Sequence, residues 1–152
     1  MKNTTLIYIE EGGKYLMIHR TKKKNDENKD KWIGVGGKLE EGESPFDGAR
    51  REILEETGLT VDKLNYRGIV TFILDGVTEY MHLFHTDKFS GELISDCDEG
   101  DLDWIEKDKL LTLELWEGDK IFLKLLDTEK RFFSLKLDYD RNGVLLSHEL
   151  EF

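Results

Sequence analysis

Proline and cysteine each occur once in the 152 residues, as Pro45 and Cys97. A lone cysteine excludes an intramolecular disulfide and makes a reducing compartment, the cytoplasm, the expected setting. The scarcity of proline leaves no Pro-rich linker, so residues 1–152 read as one domain. Positive charge is short as well: 22 Lys and Arg stand against 33 Asp and Glu, for a formal net charge of −11. That balance argues against DNA, RNA or anionic membranes as partners, because those surfaces favour basic proteins. Small anionic ligands stay open, since a bound cation inverts the local field. No apolar run nears the ~18 residues of a membrane span, and MKNTTLIYIEEGG lacks the apolar core of a signal peptide.

What is present has the pattern of a mixed fold. Thr4 to Glu10 and Lys14 to Arg20 read as strands joined by a Glu-Gly-Gly turn. Thr21 to Lys31 contains no apolar residue and reads as a mobile surface loop, with a loop beside an anion site as the second reading. Leu64 to Leu74 and Thr78 to Phe89 are two long strands around Asp75-Gly76. Asp101 to Glu106 is a short strand, and Lys107 onward starts a short helix. Ile121, Phe122, Leu125 and Leu126 lie at helical spacing. The chain closes as a hairpin with Asn142-Gly143 in its turn. Strands and helices mix without strict alternation, which predicts a mixed sheet flanked by helices. His19, His82, His85 and His148 show no metal-ligand spacing.

The strongest local signal is a helix over Pro45 to Thr57. Ser44 caps it, Pro45 gives up an amide that would have been unpaired, Asp47 suits the helix dipole, and Gly58 stops it. Phe46, Ala49 and Ile53 share one face. Glu52, Glu55 and Glu56 share the neighbouring one, and Glu56 borders the apolar stripe. On an exposed helix such like-charge pairs cost only about 0.2–0.5 kcal/mol each, so a solvated face would be the plain reading. In a cleft, two carboxylates about 6 Å apart repel by roughly 3 kcal/mol at a dielectric near 20. There they either raise their pKa values or hold a hard cation such as Mg2+ or Mn2+.

Spacing separates those readings. From Gly37 the chain runs Gly, five residues, Glu43, seven residues, then Arg51-Glu52-Ile53-Leu54-Glu55-Glu56-Thr57-Gly58-Leu59. This resembles the Nudix box at every fixed position. Seven fixed residues at roughly 7% usage each match by chance on the order of 10⁻⁸ per start site.

The resemblance implies a Nudix α/β/α sandwich with a mixed β-sheet, in which the box forms a loop–helix–loop. It also implies hydrolysis of nucleoside diphosphates linked to another group, with divalent cations. Carried onto this chain, the metal ligands would be Glu52, Glu55, Glu56, the Gly36 carbonyl and, beyond the box, Glu99. Arg51 and Glu43 would brace the motif. Glu52 or Glu56 would be the general base, and Lys38 would contact phosphate or orient water.

WIGVGGKLEEGE and DGARREILEETGL look most like the MutT-type branch, the 8-oxo-purine triphosphatases included. That likeness suggests a nucleoside triphosphate pyrophosphohydrolase, acting as a monomer or homodimer. Thr5, Arg20, Gly36, Gly37, Lys38, Trp116 and Asp119 would meet the nucleotide. Trp116 reads equally as a base-stacking aromatic and as a core aromatic. Ile33 stands where that branch has an Asn that reads the modified base, and an apolar side chain cannot make those hydrogen bonds. ADP-ribose or dinucleoside polyphosphates are the alternative substrates, weakened by the lack of a proline about fifteen residues past the box. A non-catalytic nucleotide-binding regulator would be expected to have lost box glutamates, and all of them are here.

Overall fold

The computed structural model describes residues 1–95 and 97–152. Strand β1 (Lys2–Glu11) is buried from Thr4 to Ile9, as a central strand covered on both faces must be. Its side chains alternate between two cores. Leu6 and Tyr8 join one with Phe72, Trp116, Phe122 and Leu137; Ile7 and Ile9 join the other with Val35, Ala49, Ile53 and Phe84. Helix α1 (Pro45–Thr57) packs into the second core and α2 (Asp119–Thr128) into the first. The sheet therefore lies between two helices, as the α/β/α expectation requires.

The remaining strands are β2 (Lys14–His19), β3 (Trp32–Ile33), β4 (Thr60–Leu74), β5 (Val77–Ser90), β6 (Asp101–Glu106), β7 (Phe133–Tyr139) and β8 (Leu145–Glu151). Their order is β3-β2-β1-β5-β4-β7-β8, with β6 beside β2. The β1–β5 and β4–β7 pairs are parallel and the others antiparallel, so the sheet is mixed. Trp104 and Ile105 of β6 pair with β2, and Asn142-Gly143 lies in the β7–β8 turn, held by Gly143 N–H to the Asp140 carbonyl at 3.0 Å.

Three expectations change. The β1–β2 hairpin exists only next to its turn, where Glu10 pairs with Tyr15 and Glu11 with Lys14. The rest of β1 pairs with β5 and with the Val35–Lys38 segment, while β2 turns to β6 and β3. A central strand takes the partners that bury both its faces, and sequence adjacency does not choose them. Second, the long strands extend beyond Leu64–Leu74 and Thr78–Phe89 at both outer ends, because β-pairing continues from Thr60 to Ser90. Third, Lys107–Thr112 is a 3-10 helix.

Candidate active site

Loop Gly34–Leu39 is sewn to β1: Thr5 N–H donates to Gly37 O at 2.9 Å, Ile7 N–H to Val35 O at 2.6 Å, and Leu39 N–H to Asn3 O at 3.0 Å. The fit tolerates no side chain at Gly36, where a Cβ would stand 1.9 Å from the Thr5 carbonyl oxygen. At Gly37 a Cβ would stand 2.6 Å from Glu52 Oε1. The glycines thus bring backbone against strand and carboxylate together.

Helix α1 starts at a capping box. Asp47 N–H donates to Ser44 Oγ, and Ser44 N–H donates to Asp47 Oδ2, each at 3.1 Å. Asp47 thus has a specific task beyond suiting the dipole. Gly58, at φ 79°, ends the helix with its N–H on Leu54 O.

Between the two ends Arg51 is the hub. It grips Glu43 with two bonds of 2.8 and 2.9 Å, reaches Glu52 at 2.8 Å and Glu55 at 3.2 Å, and donates to Lys38 O at 2.9 Å. A planar guanidinium suits this many fixed acceptors, as an ammonium would not. Its bonds hold the Glu43 carboxyl below the ordinary carboxylate value.

Glu56 differs from its neighbours. It is 7% exposed. Its Oε1 accepts from Gly36 N–H at 2.9 Å, while Oε2 is buried without a partner. Burial, then the charges of Glu99 and Glu52, push its pKa up to about 9. Glu99, far along the chain, is therefore within electrostatic reach of Glu56. Glu99 is held by Arg20 at 2.5 Å and Lys23 at 3.4 Å.

Glu55, by contrast, faces solvent. Among the described residues no three His, Cys, Asp or Glu side chains close on one point as ligands of an ion would. The ion pairs explain this: Arg51 holds Glu52 and Glu55, and Arg20 holds Glu99, so guanidinium groups supply the compensating charge. The residues nevertheless fit a hard divalent cation. The donors are all oxygen, and a buried carboxylate oxygen awaits a partner that would let it ionise.

A cleft of about 550 Å3 runs from this end to the aromatic side of the sheet. Gly36, Gly37, Lys38, Arg20 and Glu99 line one part, and Ile33, Phe72, Met81, Trp116 and Asp119 the other. Lys38 pairs with no carboxylate among the described residues. Trp116 is 6% exposed and packs edge-on against Phe72 and Tyr139, with centroids 5.1 and 5.0 Å away. It is a core aromatic, as the second reading expected, and it also borders the cleft.

Asp119 begins α2 and is 3% exposed; burial raises its pKa to about 8, opposed by Lys31. Its carboxyl accepts no hydrogen bond from the described residues. Thr5 donates to Gly37 O at 3.4 Å and Thr4 to Glu79 at 2.7 Å, and both line the cleft.

Thr21–Lys31, expected to be a loose surface loop, forms one wall of the cleft. Trp116 Nε1 donates to Asn28 Oδ1 at 2.7 Å, and Arg20 grips Asp26 at 2.7 Å. Polar loops are held where buried partners need hydrogen bonds, and Trp116 and Arg20 are such partners. Alternation along β1 could have pointed to Thr4. Nothing local could have pointed to Asn28, Phe72 or Met81.

Residues 2–126 match the model of the NUDIX domain, and the chain belongs to the Nudix family. Within that family it is similar to proteins of one branch. It is 35% identical over 152 residues to the oxidized purine nucleoside triphosphate hydrolase of Danio rerio, covering 99% of this chain and 94% of the relative. The mouse protein of the same name is 38% identical over 122 residues, covering 79% and 77%. In structure, the mutator MutT protein of Bacillus halodurans superposes with a TM-score of 0.88 at 28% identity, over 99% of this chain and 98% of that one. No helix among the described residues is long and apolar enough to cross a membrane.

Proposed function

We propose that this protein hydrolyses purine nucleoside triphosphates, oxidised ones included, to the monophosphate and pyrophosphate, and so sanitises the nucleotide pool. The observation that carries the reading is one cleft joining Glu99, Lys38 and Gly36, whose N–H holds Glu56, to the aromatic end at Trp116 and Asp119. A triphosphate and its base are the two ends such a cleft suits. The names of the Danio and mouse relatives support the same substrate class.

Nudix hydrolases generally need a divalent metal, and we take it to be Mg2+, with Mn2+ able to substitute. Glu52, Glu55, Glu56, the Gly36 carbonyl and Glu99 would hold it. When bound, such a cation offsets the phosphate charge and makes an attacking water more acidic. Glu52 or Glu56 takes the proton of that water as it attacks phosphorus, and the pyrophosphate departs. Lys38, without a carboxylate partner, neutralises phosphate oxygens. Gly36 and Gly37 let the phosphates approach the backbone closely. Arg20, which lines the cleft beside Glu99, would contact the phosphates. Asp119 reads the base edge, Trp116 and Thr5 shape the walls, and all of residues 1–152 work as one domain.

The test is a panel of NTPs, dNTPs, their 8-oxo forms, ADP-ribose and diadenosine polyphosphates with Mg2+, products being identified. Monophosphate and pyrophosphate from purine triphosphates are expected. Exclusive cleavage of ADP-ribose would overturn the reading, as would tight nucleotide binding without turnover.

A further inference from the structure

Two buried side-chain polar atoms among the described residues have no hydrogen-bond partner: Glu56 Oε2 and the Tyr8 hydroxyl. Native proteins rarely leave such atoms unpaired, and those they do leave tend to await a ligand or an ion. A cation accounts for Glu56. Tyr8 lies two residues along β1 from Leu6, which lines the cleft. Its ring is fully buried, packed on Tyr15 and on Phe122 of α2 with centroids 5.4 and 6.0 Å away. A Cβ on Gly34 would stand 3.1 Å from Tyr8 Cζ, the atom bearing the hydroxyl. The hydroxyl end therefore abuts Gly34, which lines the cleft with its neighbour Ile33 and with Asp119.

Asp119 is the complementary anomaly. Its carboxyl is buried and accepts no hydrogen bond from the described residues, with Lys31 as the cation acting on it. An ionised carboxylate there needs donors. Tyr139 is also near; its hydroxyl accepts the Gly118 N–H at 2.7 Å and keeps a proton of its own, whereas the Tyr8 hydroxyl has no hydrogen-bond partner at all. Tyr8 packs on Phe122, one turn along α2 from Asp119, and burial and then the Asp119 charge raise its pKa, so the hydroxyl keeps its proton to give.

We infer that Tyr8 is a positioning residue for Asp119: when a purine engages the Asp119 carboxylate, the Tyr8 hydroxyl donates to it and fixes which oxygen faces the base. The inference rests on the nucleotide reading of the cleft. It also supplies, from β1, a polar group beside the position that Ile33 leaves apolar.

Tyr8→Phe keeps the ring and removes only the hydroxyl. Deleting an unpartnered buried hydroxyl is neutral or stabilising, so the nucleotide-free variant should melt at or above wild type. Tyr139→Phe, which breaks a bond already made, should melt lower. For Tyr8→Phe the KM for purine triphosphates should rise about tenfold to hundredfold, the loss of one hydrogen bond to a charged group, with kcat within about twofold. In an Asp119→Asn background Tyr8→Phe should change neither constant. An unchanged KM in the single variant, or an equal rise in the Asp119→Asn background, would sink the proposal. A wild-type protein that turns over no triphosphate would instead remove the nucleotide reading, and this inference with it.

Discussion

Glu56 meets two opposed demands, burial beside Ile53 and ionisation beside Glu52 and Glu99. Its folded-state pKa of about 9 lies above the ordinary 4.5, so the folded protein keeps a proton that the unfolded chain releases in between. The metal-free protein should therefore be most stable below about pH 4.5 as far as this group is concerned, losing stability as pH rises towards 9. Asp119 acts in the same direction between 3.8 and about 8. Melting curves in a chelator from pH 5 to 9 should show the decline, with a shallower slope in Glu56→Gln and after addition of Mg2+. The same substitution should lower kcat by about 10²- to 10⁴-fold in turnover assays, the usual worth of a positioned base. Gly37→Ala tests the neighbouring contact. A methyl 2.6 Å from Glu52 Oε1 displaces that carboxylate, and kcat should fall by about 10²-fold while the melting temperature changes little, because only the end of a side chain must move.

At the scale of the element, α1 and its approach loop are a unit closed by one guanidinium. Arg51→Ala leaves Glu43, Glu52 and Glu55 without their shared counter-charge and frees Lys38 O. Urea unfolding should show a loss of about 1–3 kcal/mol, and Arg51→Lys should recover little of it, since an ammonium cannot make the paired bonds to Glu43. Helix α1 was legible from the chain because its determinants are local: Ser44, Pro45, Asp47 and Gly58 act within one turn of its ends. Strand β2 was legible as a strand, and the hairpin expected with β1 holds next to its turn while the rest of β2 pairs with β6 and β3. Tyr15 to Ile18 is one continuous buried apolar run, and such a run says that both faces are covered, never which strand lies alongside. The short Lys107–Thr112 helix was legible as helical but not as 3-10, a choice made by a single turn of hydrogen bonds.

The whole molecule carries its charge of −11 as self-repulsion as well as function. Raising ionic strength from about 0.01 to 0.15 M shortens the Debye length from ~30 to ~8 Å and should raise the melting temperature of the metal-free protein. A differential scan over added NaCl reads this, and a fall with salt would contradict it. At this scale the cleft takes in residues from β1, the Thr21–Lys31 loop, the Nudix loop, β4, β5, Glu99 and the start of α2.

The chain by itself determined the box and its helix, while the pairing of Arg51 with Glu43 was expected from the family resemblance and is present. Those rest on spacing within one short segment, and short-range geometry follows directly from sequence. Only the tertiary structure decided that the charge of Glu99 acts on Glu56, that Thr4 joins Thr5 in lining the cleft, that Asn28 holds Trp116, and that Tyr8 ends against Gly34. Each joins residues distant in sequence through the order of strands. That order is set by which arrangement buries both faces of β1, a property of the whole fold and of no segment in it.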